Sequence, residues 1–291
     1  MTVHQLLREY GLRPRKRLGQ HFLVSEAHLQ TIVEAAALEP EDVVLEVGPG
    51  LGTLTRLLAA RAGHVVAVEL DEQLIPLLQR TVTGYDNVTI VSGDILQLRP
   101  ADVLSRIPDD ASWAVSGPFP YKVVANLPYY ITSAVLRHLL EAQRQPQLMV
   151  VTVQREVAER ICAEPPRLSP LAVSVLFYAQ PELLQVIPAG AFTPSPKVDS
   201  AVLRLCVRPQ PAVDVEDVDR FFRIVRAGFG QRRKQLRNGL AHGLGLPRDV
   251  VSAALQQAGV DPRRRAETLA LAEWGEVYLQ LAARPQNRTG P

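Results

Sequence analysis

Four consecutive residues, Asn126-Leu127-Pro128-Tyr129, bring several ways of holding a planar base into one turn. The Asn126 side chain offers an amide oxygen that can accept from an exocyclic N–H. Pro128 stiffens the turn, so the Leu127 carbonyl can accept a second N–H. Tyr129 adds a flat face for a base drawn out of its stack. An aromatic amine is a poor nucleophile because its lone pair is delocalised into the ring. Two fixed acceptors favour a pyramidal nitrogen, whose lone pair can attack an electrophilic methyl group in line. Positioning then supplies most of the rate, and no strong general base is needed. An ordinary strand-to-turn Asn-x-Pro pattern would use the same residues for structure alone.

Three further signals lie upstream. Glu46-Val47-Gly48-Pro49-Gly50-Leu51-Gly52 runs a strand into a glycine-rich turn with a helix straight after it. Gly48 and Gly50 permit close approach of a ligand to the backbone. The G-x-G-x-G spacing is not the G-x-G-x-x-G of dinucleotide sites, which counts against a nicotinamide cofactor. Glu69 closes the next strand, 21 residues after Gly48, where a carboxylate suits the two hydroxyls of a ribose. Gly93-Asp94 follows the third strand, and Asp94 can accept from an adenine amino group. Any one of these has a bland structural explanation. Three consecutive strand ends together describe a site for an adenosine-containing cofactor.

The elements that would position these groups alternate. Val43–Val47, His64–Glu69, Val88–Val91, Lys122–Asn126 and Leu148–Val153 read as apolar strands. Leu54–Ala60, Glu72–Gln79 and Ser133–Glu141 read as the intervening helices. That alternation predicts a mostly parallel sheet covered on both faces, closed by Leu183–Ile187 and Ser200–Val207. Arg208-Pro209-Gln210-Pro211 then breaks the pattern, and helical stretches follow to the end. The expected domains are 1–209 and 210–291.

Composition narrows the class. The 291 residues are 47% hydrophobic and 21% charged, which excludes disordered and fibrous chains. Lys+Arg is 32 against Asp+Glu 30, so only the placement of charge can point to a partner. Two cysteines without C-x-x-C spacing predict neither a disulfide framework nor a zinc site, and no metal is expected. The apolar runs are far shorter than the roughly 20 residues of a membrane span, and Met1–Arg17 lacks the apolar stretch of an export leader. A cytoplasmic protein is expected. Trp113 and Trp274 are read as packing residues and 284–291 as a frayed tail.

With these residues in view, the chain resembles the KsgA-type family of rRNA adenine N6-dimethyltransferases. The likeness spans about Arg15 to Tyr278. It includes Lys16 to Leu23, the glycine turn, Val68 to Asp71, Gly93 to Ile95, Asn126 to Thr132, Val153 to Arg160, Phe192 to Val202 and Phe229 to Asn238. The resemblance implies a Rossmann-like class I methyltransferase sheet with a small C-terminal all-helical domain. It implies S-adenosyl-L-methionine as cofactor, contacted by His21, Leu23, Gly48, Gly50, Glu69, Asp94 and Asn126. It also implies a target adenine held at Asn126, Leu127 and Pro128 between Tyr129 and Phe192. His21 stands where many relatives carry Asn. Glu164 to Leu171 departs from the run frequent in relatives. The implied substrate is a pair of adjacent adenosines near the 3′ end of 16S rRNA in the small ribosomal subunit.

Three basic islands suit RNA phosphates. Between Phe221 and Arg248 lie seven basic residues and no acid, including Arg232, Arg233, Lys234 and Arg237. Arg263-Arg264-Arg265 is a second island, and Arg13, Arg15, Lys16 and Arg17 a third. Solvated helix faces are the bland alternative for each. A large-subunit rRNA methyltransferase of the antibiotic-resistance kind is the close rival. A non-catalytic assembly factor and a dehydrogenase are the others; intact Gly48, Glu69, Asp94 and Asn126 argue against the first of these and the glycine spacing against the second. A monomer is expected.

Overall fold

The computed structural model describes residues 3–108, 120–231 and 233–282. Arg232, Trp113 and the tail 284–291 therefore lie outside the described residues. The strands are β1 (Phe22–Leu23), β2 (Val43–Val47), β3 (His64–Glu69), β4 (Val88–Ser92), β5 (Tyr121–Asn126), β6 (Leu148–Gln154), β7 (Ala179–Ile187), β8 (Phe192–Thr193) and β9 (Ser200–Val207). The helices up to the end of the sheet are α1 (Val3–Glu9), α2 (Glu26–Ala35), α3 (Thr53–Ala59), α4 (Ile75–Thr81), α5 (Pro100–Leu104), α6 (Thr132–Leu140), α7 (Arg155–Ile161) and α8 (Pro170–Tyr178). After them come α9 (Val218–Phe229), α10 (Leu236–Leu244), α11 (Arg248–Gln257) and α12 (Leu271–Ala282). No described helix is long and apolar enough to cross a membrane.

Among the described residues seven strands form one sheet, in the order β4-β3-β2-β5-β6-β9-β7. β4, β3, β2, β5 and β6 run parallel, and β9 lies antiparallel to β6. Every residue of β2 and β3 is buried, as expected of valine-rich strands covered on both sheet faces. On one face Val44, Val65, Val124, Val150 and Val202 present a row of side chains, and Ile32, Val33, Leu54 and Leu58 of α2 and α3 pack on it. The chain leaves β2 toward β3 and β4, then returns to β2's other side as β5. That reversal opens a crevice at the carboxyl ends of β2 and β5, where ligands of open α/β sheets bind.

Two expectations need amendment. The stretch 72–79 is not one helix. A 3₁₀ turn, Glu72–Leu74, leads into α4 at Ile75, because Pro76 lacks the N–H a helix interior uses and is tolerated only in a first turn. The division of the chain also differs from a single cut after residue 209. Residues Met1–Ala158 and Gln180–Val207 form one compact unit, and Glu159–Ala179 groups with Arg208–Pro291 in the other. The reason is aromatic: Phe177 of α8 stacks on Phe221 at 4.9 Å and meets Phe222 edge-on at 5.1 Å.

Within that second unit α10 lies close against α9. A Cβ on Gly243 would sit 2.6 Å from the Ala227 Cβ, so only glycine admits this approach. Phe221, 0% exposed, is the hub of the aromatic cluster. Replacing Phe221 by Ala should cost this unit about 3–5 kcal/mol in denaturant unfolding, and by Leu less than about 2 kcal/mol. Equal costs for the two variants would mean that the ring is not the hub.

Candidate active site

The glycine turn and Glu69 are built as one unit. Gly48, Gly50 and Gly52 have φ of 69°, 56° and 77°. At Gly50 a side chain would be strained, and its Cβ would also meet the Phe22 ring at 3.0 Å. The Gly50 N–H donates to Glu69 Oε2 at 2.9 Å, and the Asp71 N–H donates to Glu69 Oε1 at 2.7 Å. The Glu69 carboxylate, 5% exposed, thus ties β3's end to the turn after β2. Burial pushes its pKa up, and the backbone N–H groups of Asp71 and Gly50 oppose that rise. Each carboxylate oxygen keeps a further lone pair for a ligand hydroxyl.

A cleft, open at its mouth, lies along these strand ends. His21, Leu23, Gly48, Gly50, Glu69, Asp94, Asn126, Leu127, Pro128 and Tyr129 all line it. Residues named from the sequence at five separate places converge there. Asp94 Oδ1 accepts the Leu96 N–H at 3.0 Å, which fixes the carboxylate and leaves Oδ2 to accept from a ligand.

The Asn126 run is held from several sides. Asn126 Nδ2 donates to the His21 carbonyl at 3.0 Å, which leaves Oδ1 as the amide's acceptor. The Leu127 N–H donates to the Thr152 carbonyl at 3.2 Å, and the Pro128 carbonyl closes the turn by accepting from Ile131. The Leu127 carbonyl is thereby the backbone acceptor beside Asn126 that the turn does not consume. Tyr129 Oη shares a 2.6 Å hydrogen bond with Ser200 Oγ, and burial raises the phenol's pKa against that bond. The His21 ring stacks on Tyr129 at 5.7 Å and donates from Nδ1 to the Pro194 carbonyl at 2.7 Å.

Phe192 is not brought to this cleft. It is 3% exposed in the core, paired with Leu23 where β8 runs antiparallel to β1. In this conformation it positions the strand that carries Leu23 and offers no face to a base. Arg233, Lys234, Arg237 and Arg263 belong to the helical unit and do not line the cleft.

Glu46 escaped the sequence reading. It sits in the apolar strand β2, lines the cleft and is 1% exposed. Its Oε2 has no hydrogen-bond partner among the described residues. Burial, with the Glu69 charge adding to it, pushes its pKa up to about 8. The detectable signal was an acid inside a run of valines two residues before the glycine turn. S-Adenosylmethionine carries both a sulfonium and an ammonium charge. A buried carboxylate on β2 with one unpartnered oxygen, next to the ribose-suited Glu69 of β3 and on its far side from the adenine-suited Asp94 after β4, fits such a molecule.

A Rossmann-like methyltransferase that uses S-adenosylmethionine is the class this sheet and this cleft define. A family model described as ribosomal RNA adenine dimethylase matches residues 11–283. The chain is 48% identical over 283 residues to the ribosomal RNA small subunit methyltransferase A of Dehalococcoides mccartyi (strain CBDB1), covering 97% of this chain and 93% of that protein. The crystal structure of 23S rRNA methyltransferase ErmE matches with a TM-score of 0.69 at 30% identity, covering 90% of this chain and 99% of that one. A dimethyladenosine transferase from Plasmodium falciparum shares the fold, with a TM-score of 0.74 at 22% identity over 90% of this chain and 98% of that one. The chain belongs to the ribosomal RNA adenine dimethylase family. It is an S-adenosylmethionine-dependent rRNA adenine dimethyltransferase.

Glu46 gives the ligand-free protein a pH signature. A carboxyl whose folded pKa is raised contributes full stability below its unfolded value and loses it as pH climbs through the folded one. The window here is about pH 4.5 to 8. Glu46→Gln should therefore match wild type at pH 4.5 and exceed it increasingly toward pH 8, by several kcal/mol in urea unfolding. A difference independent of pH would show that Glu46 titrates normally.

Proposed function

We propose that the chain dimethylates the N6 amino groups of two adjacent adenosines in the 3′-terminal hairpin loop of 16S rRNA, within the small ribosomal subunit or its assembly precursor. The observation that carries the small-subunit reading is the 48% identity, over nearly the whole chain, to a relative named for that subunit. The 30% identical structure named for 23S rRNA supports the rival reading, a large-subunit enzyme.

The chain's own residues suffice for the positioning. Asn126 Oδ1 and the Leu127 carbonyl accept the two N–H groups of the target amine, so the nitrogen pyramidalises and its lone pair turns toward the donor. Tyr129 presents a ring face to the flipped base, its orientation fixed through Ser200. S-Adenosylmethionine, when bound, supplies the electrophilic methyl and leaves as the neutral thioether S-adenosylhomocysteine. Glu69 takes the ribose hydroxyls, Asp94 the cofactor adenine, and Glu46 faces the cationic amino-acid end with Gly48 beside it. His21 and Leu23 cover the cofactor from the N-terminal segment. The product nitrogen loses its proton to water, since an arylammonium is a strong acid. After the first transfer one N–H remains for an acceptor, and the added methyl must turn away from the donor.

RNA phosphates are assigned to the helical unit. Two adjoining shallow grooves there share Gln231 and His242, and their rims carry Arg223, Arg226, Lys234 and Arg248. None of these four cations has an acidic partner among the described residues. Arg233 and Arg237 lie in the same acid-free stretch. Arg263 differs: its guanidinium meets both oxygens of Asp261, at 3.3 and 3.2 Å, so a phosphate would have to displace that carboxylate. Arg264 is likewise held by Glu273, and Arg15 by Asp71. The second island and part of the third are largely neutralised within the protein.

Methyl transfer from labelled S-adenosylmethionine to undermethylated small subunits, read by nucleoside analysis, tests the reading. Wild type should give N6,N6-dimethyladenosine, and Asn126→Ala should lower kcat/KM about a hundredfold or more while cofactor still binds. Transfer to naked large-subunit RNA alone would favour the rival. An Asn126→Ala rate within a few-fold of wild type would remove the amide from the mechanism.

A further inference from the structure

The turn from Arg15 to Gln20 is fastened to the end of β3 by a set of side-chain bonds. Gln20 Oε1 accepts the Arg15 N–H at 2.7 Å, and Gln20 Nε2 donates to Asp71 Oδ2 at 2.8 Å. The Arg15 guanidinium meets Asp71 Oδ1 at 3.0 Å. That oxygen also accepts the Gln73 N–H at 3.2 Å. Asp71 in turn gives its own N–H to Glu69. In the sequence Asp71 reads only as an acid at the start of a helix; in the fold it is 4% exposed and engaged on every side. A carboxylate so far from water is stable only with such partners, and charge-assisted bonds of this kind are the strong ones.

Ahead of the buried Phe22 and Leu23, the segment it holds has little regular structure of its own. Between α1 and α2 the chain has one 3₁₀ turn, Lys16–Leu18, and the two residues of β1. Leu18 through Leu23 nevertheless line the same cleft as Gly50 and Glu69. Segments with so few backbone bonds open locally at low free energy unless side chains fasten them. A ligand covered by this segment leaves when the segment opens, so the fastening sets its residence time.

We infer that Asp71 is a positioning residue for cofactor retention, clasping the 18–23 segment over the cleft through Arg15 and Gln20. The inference rests on the reading that Glu69 and its neighbours hold the cofactor. The clasp acts on the closed state of the cover and not on the methyl transfer itself. Its loss therefore accelerates cofactor release and leaves turnover at saturating cofactor nearly intact.

The full-length protein with S-adenosylhomocysteine tests this by calorimetry, stopped-flow release and amide hydrogen exchange. Asp71→Asn keeps the size and the acceptor for Gln73 but sets an amide NH2 against Gln20 and drops the attraction to Arg15. It should release S-adenosylhomocysteine about tenfold faster or more, speed exchange across residues 15–23, and keep kcat within about threefold. Arg15→Met breaks only the ion pair, leaves the Gln73 bond in place and guards against a folding defect; it should release about threefold faster. The double variant should be no worse than Asp71→Asn alone, because both remove one interaction. Release within twofold of wild type for both single variants overturns the clasp. So does unchanged exchange across 15–23, or a fall in kcat with release unaltered. Failure of wild type to bind S-adenosylhomocysteine would instead overturn the cofactor reading on which the clasp rests.

Discussion

A carboxylate removed from water survives only if donors replace the water, and Glu69 is the point where this protein meets that demand. Its two oxygens take backbone N–H groups from Gly50 and from Asp71. One donor belongs to the turn after β2, the other to the turn after β3. Both turns are thus referenced to a single charged group before any ligand arrives. The positive φ at Gly50 is what lets its N–H face the carboxylate. Remove that geometry and the cleft loses its shape along with its charge.

The sheet order decides which other groups share this point. Because the strand order reverses at β2, the loops after β2 and β5 flank one crevice, and Asn126 comes to stand beside the glycine turn. The N-terminal segment completes the wall. Its His21 carbonyl accepts from Asn126, its Phe22 rests against Gly50, and its Leu23 pairs with Phe192. The glycine-turn end and the Asn126 end of the cleft are therefore joined through residues 21–23. A shift in that segment would be felt at both.

Much of this was legible in the sequence, because the informative signals were local. Val43–Val47 and His64–Glu69 announced themselves as strands buried on both faces, and their bounds in the structure are the same. Gly93-Asp94 and the Asn126 run followed strands directly, so their convergence required only a parallel sheet. What failed to show was set by distant partners. β1 and β8 are two residues each and pair across about 170 positions, a contact with no periodicity to read. The burial of Phe192 follows from that pairing. Residues 159–179 leave the sheet domain because Phe177 finds its aromatic partners after residue 220. Glu46 looked like one polar residue in an apolar strand, and only its orphaned oxygen reveals a site group. Arg263 looked like a free cation until Asp261 was seen beside it.

The central claim is that one row of strand-end acids orients the cofactor so that its sulfur faces Asn126. The most direct measurement is a crystal structure of the protein with S-adenosylhomocysteine. The ribose hydroxyls should lie about 3 Å from the Glu69 carboxylate, the adenine amino group at Asp94, and the thioether sulfur beside Asn126. A ribose held elsewhere, or a sulfur turned away from Asn126, would contradict the account.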